Sequence, residues 1–270
     1  MHPDPADIDA RNWRTLLDHR NTPAPLKIAH PCKLWDIYAP IATAPRDRPY
    51  VIAQLGQSLD GRIVTGPDQP PAINGPDGLR HLHRLRALVD AVVVGIGTIL
   101  ADDPRLTVRL VDGPSPARIV IDPHFRLPAT AKLLADDGVP VYAIQNHPAP
   151  RPGPMRALII PPIPNRPIPP AAIIACLADL GFRRILIEGG AHTVSNFLAA
   201  DTIDRFHVTI APVIIGNGLT GCNLAFDDPS RPFIRPRTTI HRLGDDILFD
   251  CAFDRPTTLE FQPPDRHEAS

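Results

Sequence analysis

Two glycine-bearing turns are the segments of this 270-residue sequence best suited to binding a phosphorylated ligand. Val94-Gly95-Ile96-Gly97-Thr98 follows one short apolar run, and Glu188-Gly189-Gly190 follows another. Glycine lets backbone approach a ligand, and the free N–H groups that open a helix suit a phosphate. Leu100 occupies the last glycine position of a Rossmann fingerprint, so the first turn alone is equally typical of a tight turn. Two such turns at strand ends suggest a dinucleotide site, with two ordinary turns as the alternative.

A polar segment follows the first turn, from Ala101 to Arg109. Adjacent carboxylates at Asp102 and Asp103 precede Thr107 and Arg109 there. An arginine can clamp a phosphate, and an aspartate can bind hydroxyl groups or transfer a proton. A surface loop could hold the same residues without any function. A further segment, Ser58-Leu59-Asp60-Gly61, indicates by itself only a turn.

Three other constellations do not support a site. His81 and His83 are two positions apart in a predicted helix and so do not share a face, which disfavours a metal pair. His192 and Ser195 lack the glycine-flanked serine of a hydrolase. The signature of a zinc deaminase is absent, since Pro31-Cys32 has no second cysteine, and we expect no metal.

An alternation of apolar strands and helices would position the two turns. Strands require short β-branched runs, and helices require apolar residues every three or four positions. The pattern predicts a three-layer α/β fold with a mostly parallel sheet and an antiparallel C-terminal hairpin. The predicted strands are Tyr50–Leu55, Ala91–Val94, Arg118–Ile121, Val139–Ile144, Arg184–Ile187 and Phe206–Ile210, the helices are Pro76–Val89, Pro170–Leu180 and Ala191–Ala199, and the hairpin is Thr239–Leu243 with Ile247–Phe253.

Composition narrows the class of protein. Hydrophobic residues make up 43% and charged residues 21% of the chain, and the net charge is −1, which disfavours a nucleic-acid or anionic-membrane partner. The four cysteines form no Cys-x-x-Cys pair, as expected of reduced thiols. The first residues lack an apolar run, so we expect no signal peptide and a cytoplasmic protein.

The segments taken together, in order, resemble one family. They are Ser58-Leu59-Asp60-Gly61-Arg62, His83-Arg84-Leu85-Arg86-Ala87, Asp90 through Arg109, Arg118 through Asp122, and Glu188-Gly189-Gly190. They are similar to the pyrimidine reductase of riboflavin biosynthesis, a domain often fused behind a zinc deaminase, over roughly residues 48–253. The resemblance implies a dihydrofolate-reductase-like fold, usually a homodimer, and reduction of 5-amino-6-(5-phosphoribosylamino)uracil by NADPH with hydride transfer to C1′ of the sugar.

The resemblance also implies roles for individual residues. Asp103 and Glu188 are the expected catalytic residues, with Glu188 and Ser58 beside the nicotinamide and the heterocycle. Arg126 is expected at the adenosine 2′-phosphate. The other expected cofactor residues are Gly95, Gly97, Thr98, Gly189 and Gly190, and the expected substrate residues are Gln54, Ser58, Arg86, Leu106, Thr107 and Arg109.

Two departures from the family pattern leave the substrate open. Gln54 stands where a lysine commonly reaches the uracil ring, and Ala72 stands where tryptophan is frequent. An amide both donates and accepts hydrogen bonds, which would also suit a pterin or another heterocycle. A catalytically silent NADPH-binding protein is a further alternative.

The division of the chain follows from the same pattern. Residues 48–256 are predicted to form the reductase domain, and 257–270 a flexible tail. Residues 1–47 are predicted to be an extension of unknown role, packed on the domain through Trp13, Leu34, Trp35 and Tyr38.

Overall fold

The computed structural model describes residues 8–21, 32, 34–63, 73–150, 153–163, 166–224 and 233–253. Ala72 and the predicted tail lie outside these ranges. The strands are β1 Tyr50–Ser58, β2 Arg62–Ile63, β3 Ala91–Gly95, β4 Ala117–Ile121, β5 Val141–Gln145, β6 Arg156–Ile159, β7 Arg184–Glu188, β8 Arg205–Ala211, β9 Leu219–Thr220, β10 Arg237–Leu243 and β11 Asp246–Ala252. The helices are α1 Ala10–Asn21, α2 Trp35–Ala42, α3 Pro76–Leu88, α4 Ile96–Asp102, α5 Pro170–Asp179 and α6 Ala191–Ala199, and Lys132–Leu134 form a short 3₁₀ turn.

The centre of the described structure is a nine-stranded sheet with the strand order β10-β11-β8-β1-β7-β3-β4-β5-β6. Strands β8 through β6 in this order run parallel to one another. Strand β11 runs antiparallel to β8 and to β10. Leu243 pairs with Asp246 across the hairpin, and Gly244 supplies the positive φ of +63° that such a short turn favours.

Helices cover both faces of the sheet, because its strands are apolar on both sides. Leu16 of α1, Ile37 of α2 and Leu85 of α3 pack in one core with Ile52 of β1. Helices α5 and α6 cover the opposite face, where Ile173, Phe197 and Val51 are buried together. The predicted three-layer α/β fold with a mostly parallel sheet is therefore confirmed, with the predicted strand and helix ends shifted by a few residues.

The segment before β1 is part of this core. The side chains of Trp13, Leu34, Trp35 and Tyr38 are buried as predicted. The guanidinium of Arg184, at the start of β7, donates hydrogen bonds to the carbonyl groups of Arg20, Ile41 and Ala42 at the carboxyl ends of α1 and α2. A cation is favourable there, since helix carboxyl ends are partially negative. Among the described residues no helix has the length and apolar character needed to cross a bilayer.

Candidate active site

The two glycine turns lie side by side at the carboxyl edge of the sheet. Strands β3 and β7 are parallel neighbours, with Val93 paired to Ile187, so both strands end at the same edge. A Cβ atom on Gly190 would lie 2.8 Å from Thr98 Oγ1, and one on Gly95 would lie 2.5 Å from Thr193 Oγ1. Gly189 and Gly190 also have positive φ angles of +72° and +40°. The close contacts thus favour glycine at positions 95 and 190, and the positive φ angles favour it at positions 189 and 190.

Backbone at this edge is open toward solvent. A Cβ atom on Gly97 would meet no heavy atom within 4 Å. Helix α6 begins directly after Gly190, so its amino-terminal N–H groups add partial positive charge to the same edge. Exposed Arg126 follows β4, the neighbour of β3, in a loop fixed by the buried Asp122 carboxylate, which accepts the N–H groups of Arg126 and Leu127. Within the described residues the Arg126 guanidinium makes no ion pair, which leaves it available to an anion.

A buried ion pair lies beside the second turn. Glu188 is the last residue of β7, and its two carboxylate oxygens accept hydrogen bonds from Arg86 of α3, with Nε to Oε2 at 2.9 Å. Arg86 is 5% exposed and Glu188 8%. Arg86 Nη1 also donates to the Thr107 carbonyl at 3.1 Å. Such a bidentate pair fixes the orientation of both side chains.

Polar residues continue from Glu188 across the sheet in one row. Gln54 pairs with Glu188 on one side and with His207 on the other, and His207 pairs with Asp250. Paired residues project from the same face of a sheet, here the face covered by α3. Within the described residues the Gln54 amide, although 5% exposed, has no hydrogen-bond partner. The amide thus lies beside Glu188 with its donors and acceptor unpaired among those residues.

Positive charge gathers next to this row. Arg109 Nη1 donates to Thr107 Oγ1 at 2.5 Å. Burial lowers the pKa of the Arg109 guanidinium, and the nearby charges of Arg86 and Arg105 lower it further, against Glu188, which raises it. Two further guanidinium groups, those of Arg86 and Arg105, thus lie near Arg109, together with the single carboxylate of Glu188. The excess positive charge suits an anion such as a phosphate.

Comparison with known proteins decides the family. The model of the RibD C-terminal domain matches residues 49–229. The chain belongs to this family. The resemblance to the riboflavin pyrimidine reductases is thereby confirmed.

The chain spans most of some relatives and little more than half of others. A 2,5-diamino-6-ribosylamino-4(3H)-pyrimidinone 5′-phosphate reductase of Methanothermobacter thermautotrophicus is 36% identical over 176 residues, covering 63% of this chain and 80% of that protein. The riboflavin biosynthesis protein RibD of Aquifex aeolicus is 29% identical, and the match covers 75% of this chain but 57% of that protein. A Thermotoga maritima deaminase/5-amino-6-(5-phosphoribosylamino)uracil reductase superposes with a TM-score of 0.64 at 24% identity, over 82% of this chain and 60% of that chain. The shared fold agrees with the predicted three-layer α/β arrangement with a mostly parallel sheet.

Three predicted site residues of this RibD-family chain have other contacts than expected. Arg86 was expected at a ribose phosphate, but its guanidinium is engaged by Glu188 and the Thr107 carbonyl. Leu106 was expected to face the substrate, but its side chain is 1% exposed in the core beneath α3. Asp103 accepts the Lys132 backbone N–H at 2.8 Å and lies 3.4 Å from the Lys132 ammonium, so its contacts anchor the 3₁₀ turn. Its expected catalytic role stays a prediction.

Ser58 is also occupied within its own turn. Its hydroxyl donates to Asp60 Oδ1 at 2.5 Å and accepts the Arg62 N–H at 2.9 Å. The hydrogen bond from Ser58, followed by those from the Ile215 and Gly216 N–H groups, lowers the pKa of the Asp60 carboxyl to about 2. This segment therefore connects β1 to the loop after β8 through hydrogen bonds. The expected contact of Ser58 with the heterocycle stays a prediction.

Two residues at the site were missed. Thr193 of α6 packs against Gly95 of the first turn. His83 accepts backbone hydrogen bonds from the segment that holds Arg109. The only sequence signal for Thr193 was its place three residues after Gly190. For His83, neither its distance from His81 nor its place in the segment His83-Arg84-Leu85-Arg86-Ala87 indicates a contact with the Arg109 backbone.

Proposed function

We propose that the protein is an NADPH-dependent reductase of a 5′-phosphorylated ribosylaminopyrimidine in riboflavin biosynthesis. The proposal depends above all on one observation: the glycine turns, the Glu188–Gln54 row and Arg109 with its neighbours Arg86 and Arg105 meet at the same edge of the sheet. A cofactor turn, a polar surface for a heterocycle and an anion site are the parts that such a reaction needs. Membership of the RibD C-terminal domain family supports the same reaction.

The described residues fit a phosphorylated nicotinamide dinucleotide. Gly95, Gly97, Thr98, Gly189 and Gly190 would hold its pyrophosphate and nicotinamide ends. The two turns lie within contact of each other, and the backbone at Gly97 is open, with no heavy atom within 4 Å of an added Cβ atom. When bound, the cofactor would supply the hydride that reduces C1′ of the open-chain sugar imine. The nitrogen takes up a proton, and a ribitylamino group results.

The chain's own residues would bind and orient the substrate. Arg109 and Thr107 would hold the ribose phosphate. Glu188, fixed by Arg86, retains acceptor capacity on both oxygens for substrate hydroxyl or amino groups. Gln54 would hydrogen-bond the pyrimidine from the neighbouring strand.

The ring substituent at C2 distinguishes two candidate substrates. The sequence resemblance indicates the 2-oxo compound, 5-amino-6-(5-phosphoribosylamino)uracil. The free, uncharged Gln54 amide and the 2,5-diamino name of the archaeal relative favour the 2-amino compound as the second candidate. An amide can accept from an amino group or donate to a carbonyl, whereas a lysine can only donate.

Turnover with both compounds tests the proposed function. We expect NADPH oxidation with at least one of them and a product heavier by two hydrogens, measured by absorbance and mass spectrometry. Oxidation with a dihydropterin or another heterocycle alone would support the alternative pathway. No oxidation with any compound, despite NADPH binding, would indicate the catalytically silent protein.

Arg126→Ala is predicted to weaken NADPH binding while sparing NADH binding. A hydrogen bond to a charged group contributes about 1.5–3 kcal/mol, which corresponds to roughly one to two orders of magnitude in Kd. Isothermal titration with both nucleotides measures the difference, and Arg14→Ala on α1 provides a matched exposed control. Equal affinities of the unaltered protein for NADPH and NADH would contradict the assignment.

We also propose a homodimer with the C-terminal strands in its interface, and a cytoplasmic location. Strand β10 is the edge of the sheet, and its Ile240 side chain is 61% exposed. Pairing with a second copy would cover this edge.

A further inference from the structure

The segment that holds Arg109 has no regular secondary structure. Residues 106–115, here called the Arg109 loop, lie between α4, which ends at Asp102, and β4, which begins at Ala117. Leu106 has a φ of +57°, a conformation that is uncommon outside glycine. The position of the Arg109 guanidinium therefore depends on contacts made to this loop by other elements.

His83 of α3 makes the central contact. Its Nδ1 atom accepts the backbone N–H of Arg109 at 2.8 Å and that of Leu110 at 3.3 Å. His83 is 4% exposed, and Arg86 follows it one helical turn later on α3. One buried imidazole thus fixes the backbone at the residue whose side chain would bind phosphate.

The electrostatic surroundings keep this imidazole an acceptor. Burial, followed by the positive charges of Arg86 and Arg109, lowers the pKa of His83 to about 4. Near neutral pH the ring is uncharged, and its single proton must lie on Nε2 because Nδ1 accepts. A histidine that bound phosphate directly would instead benefit from being charged.

The rest of the loop is held from α1 and from within. Trp13 Nε1 donates to the Asp112 carbonyl at 2.9 Å, and Ser115 Oγ accepts the Val108 N–H at 3.0 Å. Gly113 packs so closely that a Cβ atom there would lie 2.7 Å from Ala87 Cβ. With both flanks fixed, the loss of one contact at Arg109 would shift that residue without unfolding the loop.

We propose that His83 is a positioning residue for substrate binding, which holds the Arg109 loop so that the Arg109 guanidinium meets the substrate's phosphate. This inference rests on the proposed function, because it takes Arg109 as the phosphate-binding residue. Trp13 of α1 supports the same loop, which gives the segment before β1 a part in the site.

Three substitutions separate this role from general packing. His83→Asn places a carbonyl oxygen near the position of Nδ1, His83→Gln places it farther out, and His83→Leu removes the acceptor. We expect His83→Leu and His83→Gln to raise KM for the phosphorylated substrate by roughly tenfold, since two N–H groups lose their acceptor. The kcat value and the NADPH Kd should change less than about twofold, and His83→Asn should restore KM to within about threefold.

A double-variant cycle with Arg109→Ala tests whether His83 acts through Arg109. Arg109→Ala alone should raise KM for the phosphorylated substrate, and adding His83→Gln should raise it no further. The dephosphorylated substrate should show the same KM in every variant. Should His83→Leu fail to fold, His83→Asn against His83→Gln retains the comparison, because both are polar.

The outcomes distinguish the two proposals. An unchanged KM in Arg109→Ala would refute the phosphate site of the proposed function, and the role of His83 with it. A raised KM in Arg109→Ala, combined with an unchanged KM in His83→Gln or with fully additive effects, would refute the role of His83 alone. If His83→Gln lowered both kcat and the melting temperature and left KM unchanged, His83 would be a packing residue.

Discussion

Replacing Glu188 by alanine is expected to lower the free energy of unfolding by about 3–5 kcal/mol and to abolish reduction, because Arg86 would remain buried without its partner. Arg86 also holds the Thr107 carbonyl, so its displacement would disturb the phosphate side of the site. Urea unfolding followed by circular dichroism measures the stability, and NADPH oxidation measures the activity.

Two controls separate stability from chemistry. Asp204 is a buried carboxylate paired with Arg48 at 2.8 Å, but it lies at the amino-terminal edge of the sheet, where it accepts the Val51 N–H. Asp204→Ala should destabilise the protein while its folded fraction keeps full activity. Replacing both Arg86 and Glu188 by apolar residues should recover much of the stability but none of the activity. Activity close to the native level in Glu188→Ala would show that this carboxylate does not belong to the site.

The elements could be predicted because their signals are local. Leu79, Leu82, Leu85 and Leu88 repeat at helical spacing, and α3 spans Pro76–Leu88 accordingly. The glycine turns are local in the same sense, since a positive φ at Gly189 and Gly190 is a property of single residues. The carboxyl ends of parallel strands share one edge, so the meeting of the two turns could also be expected.

The partners of the polar side chains could not be predicted. Glu188 hydrogen-bonds to Arg86, 102 positions away, and His81 hydrogen-bonds to His207, 126 positions away. These pairs depend on the order of the strands, which places β1 between β7 and β8. The contacts of Asp103 could not be predicted either: its positive φ of +42° directs the chain out of α4, and its carboxylate accepts the Lys132 N–H.

Gly95→Ala and Gly97→Ala are expected to differ, although the two glycines are two positions apart. A Cβ atom on Gly95 would approach Thr193 Oγ1 to 2.5 Å, whereas one on Gly97 would meet nothing within 4 Å. Overpacking costs about 1–3 kcal/mol, so Gly95→Ala should lower both the melting temperature and NADPH affinity, the latter by roughly one to two orders of magnitude. Gly97 lies within α4, where alanine favours the helix by about 0.5–1 kcal/mol. Gly97→Ala should therefore keep the melting temperature and weaken NADPH binding alone, because its methyl group would occupy the open side where the cofactor approaches.

Thr193→Ala tests whether the contact with Thr193 Oγ1 causes the expected effects of Gly95→Ala. Without the threonine hydroxyl, the nearest remaining contact of a Cβ atom on Gly95 is Thr193 Cβ at 3.8 Å, an ordinary van der Waals distance. Gly95→Ala combined with Thr193→Ala should thus regain the melting temperature and an NADPH Kd within about threefold of the Thr193→Ala protein, a difference of less than 1.4 kcal/mol. Thr193→Ala should not rescue Gly97→Ala, whose methyl group touches no protein atom. Rescue of stability without rescue of affinity would mean that the cofactor itself needs the space at Gly95, and loss of stability in Gly97→Ala would contradict an open cofactor face at that turn.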